Sequence, residues 1–568
     1  MSFPDSVARL TARIPLSRWL APGWARRLAA SLSVPGLLLG TLFFAASLSP
    51  SLIPRTWEMQ GILSGISLSA GYLLGVFLHW LWAYLELPEA GERVHRIMVI
   101  VAAALCAVIA VGFLMQAAQW QNSIRELMEM DPVDSAHPFR TGVIGLAVFA
   151  AALAVGRLFL LSFRFVAVRL RRFIPRRLAN VTGVIVALAL FWAVIDGVLL
   201  EYGLRTADNT FRQFDVRMEA DVEHPGDSQL SGSEESLIRW EELGQHGRRY
   251  VGFTPDTEQM SEFFGEPTPA PLRVYVGLNA AETIEERARL ALDELKRTDA
   301  FDRSVLVLAT PTGRGWVDRD AMQAVEYLHR GDVASVAVQY SYLPSWLSLM
   351  SESSYGLETA QAVFAEVYGH WRELPVDERP ELYLYGLSLG ALNSERAADL
   401  YDIVGDPFSG ALWSGPPFRS EAWREITAQR EPDSPAWLPR FRDSSIVRFT
   451  NQDPHLEIPG AEWGSMRIVY LQYASDPVTF FEPEAFYRQP EWMEEPRGPD
   501  VTDKLQWYPV VTMLQLAIDV AAADDAPVGY GHVYAPEHYV YAWRHVTDPE
   551  GWSEDELQRL KDHLRGDR

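Results

Sequence analysis

A serine between two glycines is the most conspicuous candidate for chemistry in the sequence. It stands in the string GLSLG, residues 386–390, which follows an apolar run at 382–385 and precedes a helical stretch at 391–400. A serine nucleophile of this kind occupies a strained turn between a strand and a helix, and flanking glycines remove side chains that would collide there. The N-terminus of the helix favours the negative charge that forms on attack. The pattern predicts that Ser388 is a nucleophile; the alternative is a serine in an ordinary glycine-rich turn.

A serine nucleophile needs a base, which in this strand–turn–helix setting follows the acid in the chain. Four of the nine histidines after residue 205 lie well beyond the plausible acids: His532, His538, His545 and His563. His532 ends the string GYGH, a glycine-containing loop before an amphipathic stretch at 536–546, and such a loop can bring an imidazole over the serine. His532 is therefore the predicted base. His538 is the reserve candidate, although its place inside a presumed helix favours a surface role.

The orienting acid is expected directly after a late strand, where its carboxylate can accept a hydrogen bond from the imidazole. Asp476 fits because it leaves the apolar run at 468–472 in the string SDP. Asp453, in NQDP after the run at 446–449, is the competing candidate. We favour Asp476. An Asx turn before proline is the alternative explanation of either residue.

An oxyanion hole would take one backbone amide from Leu389, directly after the nucleophile. The second amide is expected from the glycine-rich run ATPTGRGW at 309–316, which leaves an earlier strand, and Gly313 is the candidate. This run is not a phosphate-binding loop, because it lacks the GK[ST] end and no helix follows it directly. The chemistry requires no metal and no organic cofactor.

The elements that must position these residues follow an alternating pattern after residue 271. Short β-rich apolar runs alternate with amphipathic helical stretches, which is typical of a mostly parallel sheet covered on both faces. The predicted strands are Leu272–Val276, 305–309, 333–340, 382–385, 411–413, 446–449 and 468–472. The predicted helices are 284–296, 320–329, 357–373, 389–399 and 507–522.

The first 200 residues have a different character, because long apolar runs dominate them. A hydrocarbon layer about 30 Å thick needs about 20 helical residues. Five segments meet this length: 34–53, 61–85, 97–118, 141–161 and 178–200. The sequence therefore predicts an all-α transmembrane bundle of about five helices, and the bilayer is its expected partner.

Arginine in the connections predicts the orientation, since basic loops stay on the cytoplasmic side. The N-terminus is basic, and so is the connection between the fourth and fifth segments, which holds Arg164, Arg169, Arg171, Arg172, Arg176 and Arg177. The connection at 121–139 is acidic instead. Five spans would then place everything after residue 200 outside the cytoplasm.

Charge and cysteine content narrow the function classes. The first 205 residues carry a net charge of +7 and no lysine, which leaves −31 on the remainder of the chain. An acidic globular part argues against nucleic acid as a partner. The single cysteine, Cys106, lies in an apolar run, so a disulfide framework within the chain is excluded. We divide the sequence into a transmembrane domain at 1–202, a polar linker at 203–266 that includes a flexible or surface run at 226–236, and a catalytic domain at 267–568.

Several strings together resemble the two-part α/β-hydrolase family membrane proteins of bacteria. They are GLSLG, LQYASDPV at 471–478, GYGHVY, TGRGWVD and SLSPSLIPR at 47–55. In that family an N-terminal transmembrane domain precedes an α/β-hydrolase catalytic domain, so the resemblance covers nearly the whole chain. It implies Ser388, Asp476 and His532 as the triad and a location in the bacterial cytoplasmic membrane.

These observations predict a membrane-anchored serine esterase or lipase that acts through an acyl-enzyme. An extracytoplasmic site at the membrane favours lipid or acylated cell-envelope esters as substrates. An acyltransferase would use the same residues with an alcohol acceptor in place of water. A non-catalytic scaffold or transport accessory is the alternative from another class, and an intact triad argues against it.

Overall fold

The computed structural model describes residues 32–88, 91–193, 215, 217–218, 222–344, 348 and 353–566. These residues form two compact units. The helical unit contains the described residues up to Ala193 together with Phe481–Glu494 and Pro499–Asp525. The sheet unit contains the described residues from 215 to Phe480, Glu495–Gly498 and the chain from Ala526 onward. The predicted domains follow one another in the sequence, whereas each of the two compact units consists of several separate stretches of the chain.

The helical unit begins with five apolar helices. They are α1 (Val34–Ser47), α2 (Trp57–Tyr84), α3 (Glu92–Leu127), α4 (Pro138–Leu170) and α5 (Arg176–Ala193). Helices α2 to α5 have 18 to 36 residues and are long and apolar enough to cross a membrane. At 1.5 Å per residue, even α5 reaches about 27 Å. Four of the five predicted segments therefore form helices of the length and apolar composition that a span requires. The predicted end of the fifth segment, 194–200, lies outside the described residues, as do the N-terminal arginines.

The first predicted span, at 34–53, is wrong in length. Its helix has 14 residues, which corresponds to about 21 Å and is shorter than the hydrocarbon layer. The side chain of Ser33 caps the start by accepting from the amide of Gly36. The helix ends at Ser47 because Pro50 and Pro54, which lack a backbone N–H, follow closely.

Glycines allow α1 and α2 to pack backbone against backbone. A Cβ on Gly40 would lie 2.8 Å from the carbonyl oxygen of Leu68, and one on Gly75 would lie 2.4 Å from that of Pro35. Two other glycines of α2 face α4 instead, since a Cβ on Gly65 would lie 2.6 Å from Val148. Small residues at helix contacts are typical of association in lipid, where close van der Waals packing replaces the hydrophobic effect.

The sheet unit is built on seven parallel strands. They are β1 (Leu272–Val276), β2 (Val305–Thr310), β3 (Val333–Val338), β4 (Glu381–Leu387), β5 (Gly410–Ser414), β6 (Val447–Thr450) and β7 (Arg467–Leu471). Their order in the sheet is β1-β3-β2-β4-β5-β7-β6, and each pair is parallel. All seven predicted strands are present within two residues of their predicted ends, which confirms the parallel α/β architecture.

Twelve further helices are described after Ala193, and all of them except α15, which belongs to the helical unit, lie in the sheet unit. They are α6 (Gly244–Gly252), α7 (Thr257–Phe264), α8 (Ile284–Arg297), α9 (Arg319–Leu328), α10 (Ser353–Glu373), α11 (Leu389–Ser394), α12 (Leu400–Ile403), α13 (Glu421–Ala428), α14 (Pro477–Phe480), α15 (Val511–Ala521), α16 (Pro536–Thr547) and α17 (Glu554–Gly566). Helix α8 packs with α10, while α9 packs with α16 and α17. The strands are buried along nearly their whole length, as expected for a sheet covered on both faces.

Two predicted helices are shorter in the structure, for identifiable reasons. The predicted helix at 389–399 ends at Ser394, because the chain then tightens into turns in which Arg396 N donates to Asn393 O. The predicted helix at 507–522 begins only at Val511, after Pro509.

In the predicted linker, Ser231 and Ser233 are buried, and Ser231 Oγ accepts from the amide of Tyr275 over 3.2 Å. This part of the predicted surface run is therefore packed against β1.

The register brings the carboxyl ends of the central strands to one edge. Thr310 pairs with Gly386, Leu387 with Ser414, and Ser414 with Leu471. In open parallel sheets the carboxyl ends of the strands carry the ligand site. The loops that follow β2, β4, β5 and β7 therefore start side by side.

Candidate active site

Ser388 occupies a strained turn between β4 and α11. Its backbone angles are φ 56° and ψ −123°, a combination that L-residues adopt only where the surroundings hold them. Both neighbouring glycines are required by close approach: a Cβ on Gly386 would lie 2.3 Å from the carbonyl carbon of Gly390, and one on Gly390 would lie 2.2 Å from the carbonyl oxygen of Thr310. The amide of Ser388 donates to the carbonyl of Ser414 over 2.9 Å. The sequence GLSLG thus forms the sharp strand-to-helix turn that it predicts.

Asp476 and His532 form a hydrogen-bonded pair, although 56 residues separate them in the chain. His532 Nδ1 donates to Asp476 Oδ2 over 2.7 Å, and the side chain of Asp476 is fully buried. The other carboxylate oxygen accepts from the amide of Val478 over 2.8 Å. This arrangement fixes the orientation of the carboxylate and leaves Nε2 as the imidazole nitrogen that can exchange a proton with a substrate or a nucleophile.

Tyr534 is a further partner of the same carboxylate. Its hydroxyl donates to Asp476 Oδ2 over 2.7 Å, and its ring stacks on Tyr473 with centroids 4.4 Å apart. Burial, followed by the charge of Asp476, raises the pKa of Tyr534 well above its usual value. The phenol therefore stays protonated and remains a hydrogen-bond donor to Asp476.

The loop that carries His532 is anchored to the chain that leaves β7. The amide of Gly531 donates to Ser475 Oγ over 2.9 Å, and the amide of Ala535 donates to the hydroxyl of Tyr473 over 3.0 Å. Gly529, at φ 90°, allows the tight turn in which its amide bonds to Val533 O. The histidine is thus held from both sides of its loop.

Gly415 connects the serine turn with the acid–base pair. It follows Ser414, whose carbonyl accepts from Ser388, and it has a φ of 49°. A Cβ on Gly415 would lie 2.7 Å from His532 Cε1 and 3.0 Å from Asp476 Oδ2. Ser414 therefore contacts the backbone of Ser388, and the next residue, Gly415, lies against the imidazole of His532 and the carboxylate of Asp476.

Sequence reasoning missed both Gly415 and Tyr534. Gly415 was detectable in principle, because a glycine directly after a central strand lies at the carboxyl edge of the sheet. Tyr534 carries no comparable signal, since its only distinction in the sequence is that it lies two residues after a candidate histidine.

The reserve candidates have other environments. Asp453 is exposed, and its amide bonds to Asn451 Oδ1 over 2.9 Å, which is a local turn contact. His538 Nδ1 accepts from the hydroxyl of Tyr473 over 2.6 Å, and burial lowers the pKa of His538 to about 4. The described contacts therefore link Asp476 with His532 and do not bring Asp453 or His538 into that pair.

The two predicted oxyanion donors lie in the segments that meet at the turn. Leu389 is the first residue of α11. Gly313 lies in a compact loop after β2, closed by bonds from the amide of Thr312 to Trp316 O and from the amide of Gly315 to Thr312 O, each 2.9 Å long. The contact of Gly390 with Thr310 O shows that this loop departs beside the serine turn.

No group of three or more His, Cys, Asp or Glu side chains among the described residues could hold a metal ion. The arrangement of Ser388, His532 and Asp476 has the parts that nucleophilic acyl transfer needs, namely a strained serine, an imidazole and an oriented carboxylate.

Comparison with known families agrees with this architecture. Residues 272–560, about half of the chain, match the Alpha/beta-hydrolase family. The chain belongs to the α/β-hydrolase family. Residues 48–255 match the Alpha/beta-hydrolase family N-terminus, which confirms the two-part resemblance stated from the sequence. No curated protein and no solved structure matches the chain. In this α/β-hydrolase the catalytic-domain match includes all seven strands, and the N-terminal match includes the four long apolar helices.

Proposed function

We propose that this α/β-hydrolase is a membrane-anchored serine hydrolase that cleaves carboxylic esters. Ser388 Oγ attacks the ester carbonyl while His532 Nε2 takes the hydroxyl proton, and the alcohol leaves after His532 returns that proton to it. Water, activated by His532, then hydrolyses the acyl-enzyme. Asp476 holds the imidazole in the required tautomer and stabilises it when it is protonated. The amides of Leu389 and Gly313 are the proposed donors to the oxyanion.

The arrangement around Gly415 carries this proposal. The carbonyl of Ser414, directly before Gly415, accepts a hydrogen bond from the amide of Ser388. Gly415 itself lies so close to the imidazole and the carboxylate that no side chain would fit at this position. A strained serine turn and a buried acid–base pair thus meet at one point on the carboxyl edge of the sheet. A serine in an ordinary glycine-rich turn would not require this convergence.

Labelling with a fluorophosphonate tests the proposed nucleophile. In this reaction the serine oxygen forms a bond to phosphorus, fluoride leaves, and the hydroxyl proton passes to the base. Membranes that contain the full-length wild type should label, and Ser388→Ala should not. Ser409→Ala, a change at a partly exposed serine before β5, is the control and should label as the wild type does. Equal labelling of Ser388→Ala and wild type would disprove the assignment.

The proposed substrates are lipid or acylated cell-envelope esters. Four long apolar helices support attachment to a bilayer, which would keep the site near lipid. Purified protein in lipid nanodiscs should release fatty acid from such esters, and the loss of this release in Ser388→Ala would link it to the site. If an added alcohol takes up most of the acyl group even at low concentration in water, the acyltransferase is the better description.

The proposed location is the bacterial cytoplasmic membrane with the sheet unit outside the cytoplasm. Its support is the group of arginines at the end of α4, in the connection to α5 and at the start of α5, together with the acidic connection between α3 and α4 and the length of α5. A Glu234→Cys variant in a Cys106→Ala background places one cysteine at an exposed position of the sheet unit. A membrane-impermeant maleimide should label it on intact cells. Labelling only after lysis would reverse the orientation.

A further inference from the structure

The chain between the proposed acid and the proposed base leaves the sheet unit. It enters the helical unit at Phe481, five residues after Asp476, and returns at Ala526, six residues before His532. This excursion consists of Phe481–Glu494 and Pro499–Asp525, and it contains α15. Residues between Asp476 and His532 therefore belong mostly to the compact unit that holds the apolar helices.

A buried ion pair fastens the excursion within the helical unit. Asp519, on α15, bonds through Oδ1 to Arg55 Nε over 2.8 Å, and both side chains are fully buried. Asp519 Oδ2 accepts from the amide of Leu52 over 3.2 Å. Helix α15 also packs against α1 and α2. A carboxylate from the matched catalytic-domain sequence thus completes a site formed by the N-terminal part of the chain.

Further polar side chains complete the surroundings of Arg55. Its Nη1 donates to Gln60 Oε1 over 2.8 Å, its Nη2 donates to Ser51 Oγ, and its amide donates to Gln121 Oε1 over 2.9 Å. One turn before Asp519 on α15, Gln515 Nε2 donates to Ser49 O over 3.1 Å. These bonds join the α1–α2 connection to α2, α3 and α15, and every donor of this set lies inside the helical unit.

We infer that Arg55 and Asp519 are positioning residues for the proposed reaction, because they hold the chain segment that joins the acid loop to the histidine loop. The inference rests on the proposed function. Fixing the excursion limits the freedom of both its ends, and these ends continue directly into the loops of Asp476 and His532. A displacement of reacting groups by about 1 Å can cost about 10²-fold in rate.

The decisive variant is Asp519→Ala in the full-length protein in nanodiscs. Alanine keeps α15 helical but removes the bonds to Arg55 and Leu52. The rate constant for fluorophosphonate labelling of Ser388 should fall at least tenfold, about 1.4 kcal/mol, and kcat for a short soluble ester should fall with little change in KM. Ser64→Ala is the matched control, because it removes bonds between Ser47, Gln60 and Ser64 without touching the excursion. It should label within about twofold of the wild-type rate.

Hydrogen exchange gives a readout that does not depend on activity. In Asp519→Ala, the peptide at 526–535 should exchange faster, because the amides of Gly531 and Ala535 lose their steady contacts with Ser475 and Tyr473. The peptide of β4 should be unchanged. Wild-type exchange at 526–535 and a wild-type labelling rate in folded Asp519→Ala would overturn the inference. A variant that is less folded but labels at the wild-type rate per folded molecule would also overturn it. Failure of the wild type to label would instead contradict the proposed function and leave the exchange experiment as the test of positioning.

Discussion

Two buried aspartates, one in each unit, show how similar surroundings serve different ends. Asp476 and Asp519 are both fully buried, and each accepts from a basic side chain and from a backbone amide. Their partners differ: Asp476 faces a histidine, whose charge can change near neutral pH, while Asp519 faces an arginine, whose charge is permanent. Burial and pairing therefore do not mark an active site by themselves. The two pairs differ in whether the basic partner can release its proton: the histidine that faces Asp476 can, and the arginine that faces Asp519 cannot.

The largest expected effect is on the pair that includes a histidine. Asp476→Asn keeps the size of the side chain but removes the charge that holds the imidazole tautomer. We expect kcat for a short soluble ester to fall by about 10⁴-fold, by analogy with the loss of the acid in serine triads. Asp453→Asn is the matched control and should retain activity. A loss in Asp453→Asn with normal activity in Asp476→Asn would exchange the roles of the two aspartates.

The arginine pair should respond in stability and should be replaceable. Asp519→Leu leaves a buried guanidinium without its anion and should lower the free energy of unfolding by about 3–5 kcal/mol. The double variant Arg55→Leu/Asp519→Leu should recover most of this loss, since an apolar pair of similar volume often substitutes for a buried ion pair. Thermal unfolding in nanodiscs measures both variants. A double variant no more stable than the single one would show that the hydrogen bonds of Arg55 matter more than its charge.

A third carboxyl, that of the partly buried Glu395, sharpens the comparison because its hydrogen-bond partner is the hydroxyl of Tyr470, at 3.2 Å. Burial raises the pKa of Glu395 to about 7. A raised pKa means that the folded state favours the protonated form, so stability is greatest below the unfolded pKa and is lost as the pH rises towards 7. At pH 8, Glu395→Gln should therefore raise the free energy of unfolding by about 3 kcal/mol relative to wild type. The gain should be visible as a higher melting temperature. The difference should disappear near pH 4, and an equal gain at both pH values would contradict the sign.

The smallest effect is expected at Tyr534. Tyr534→Phe keeps the ring stacked on Tyr473 but removes the hydrogen bond to Asp476, and a bond to a charged group contributes about 1.5–3 kcal/mol. Because the bonds from His532 and Val478 remain, we expect kcat to fall only about tenfold, with KM unchanged. Tyr530→Phe, in the same loop, is the control. A loss in Tyr534→Phe as large as that in Asp476→Asn would mean that the phenol, and not the imidazole bond, orients the carboxylate.

The parts of the molecule that could be predicted from sequence are those set by local patterns. The seven strands follow from apolar runs separated by turn residues, and the turn at Ser388 follows from a strand, two glycines and a helix within about fifteen residues. Chain order then leads to Asp476 and His532, which the structure joins in one hydrogen bond.

The features that could not be predicted depend on long-range contacts. The bond from Tyr534 to Asp476 spans 58 residues, and the pair of Arg55 with Asp519 spans 464. A glycine is required at position 415 because of close contacts with Asp476 and His532, which are both distant from it in the sequence. The early end of α1 was visible in Pro50 and Pro54, but the apolar composition that continues to Ile53 masked it.

The interleaving of the two units also determines where the gene can be cut. A chimera of two family members joined near residue 266 would combine Arg55 from one parent with Asp519 from the other, along with every contact of α15 on α1 and α2. Exchange of the N-terminal part alone therefore separates side chains that have to match. A chimera that respects the units needs two further exchanged blocks, with four further junctions, so that Phe481–Glu494 and Pro499–Asp525 come from the same parent as the apolar helices. Recombination within the family is thus expected to preserve residues 48–525 as a block more often than it divides them.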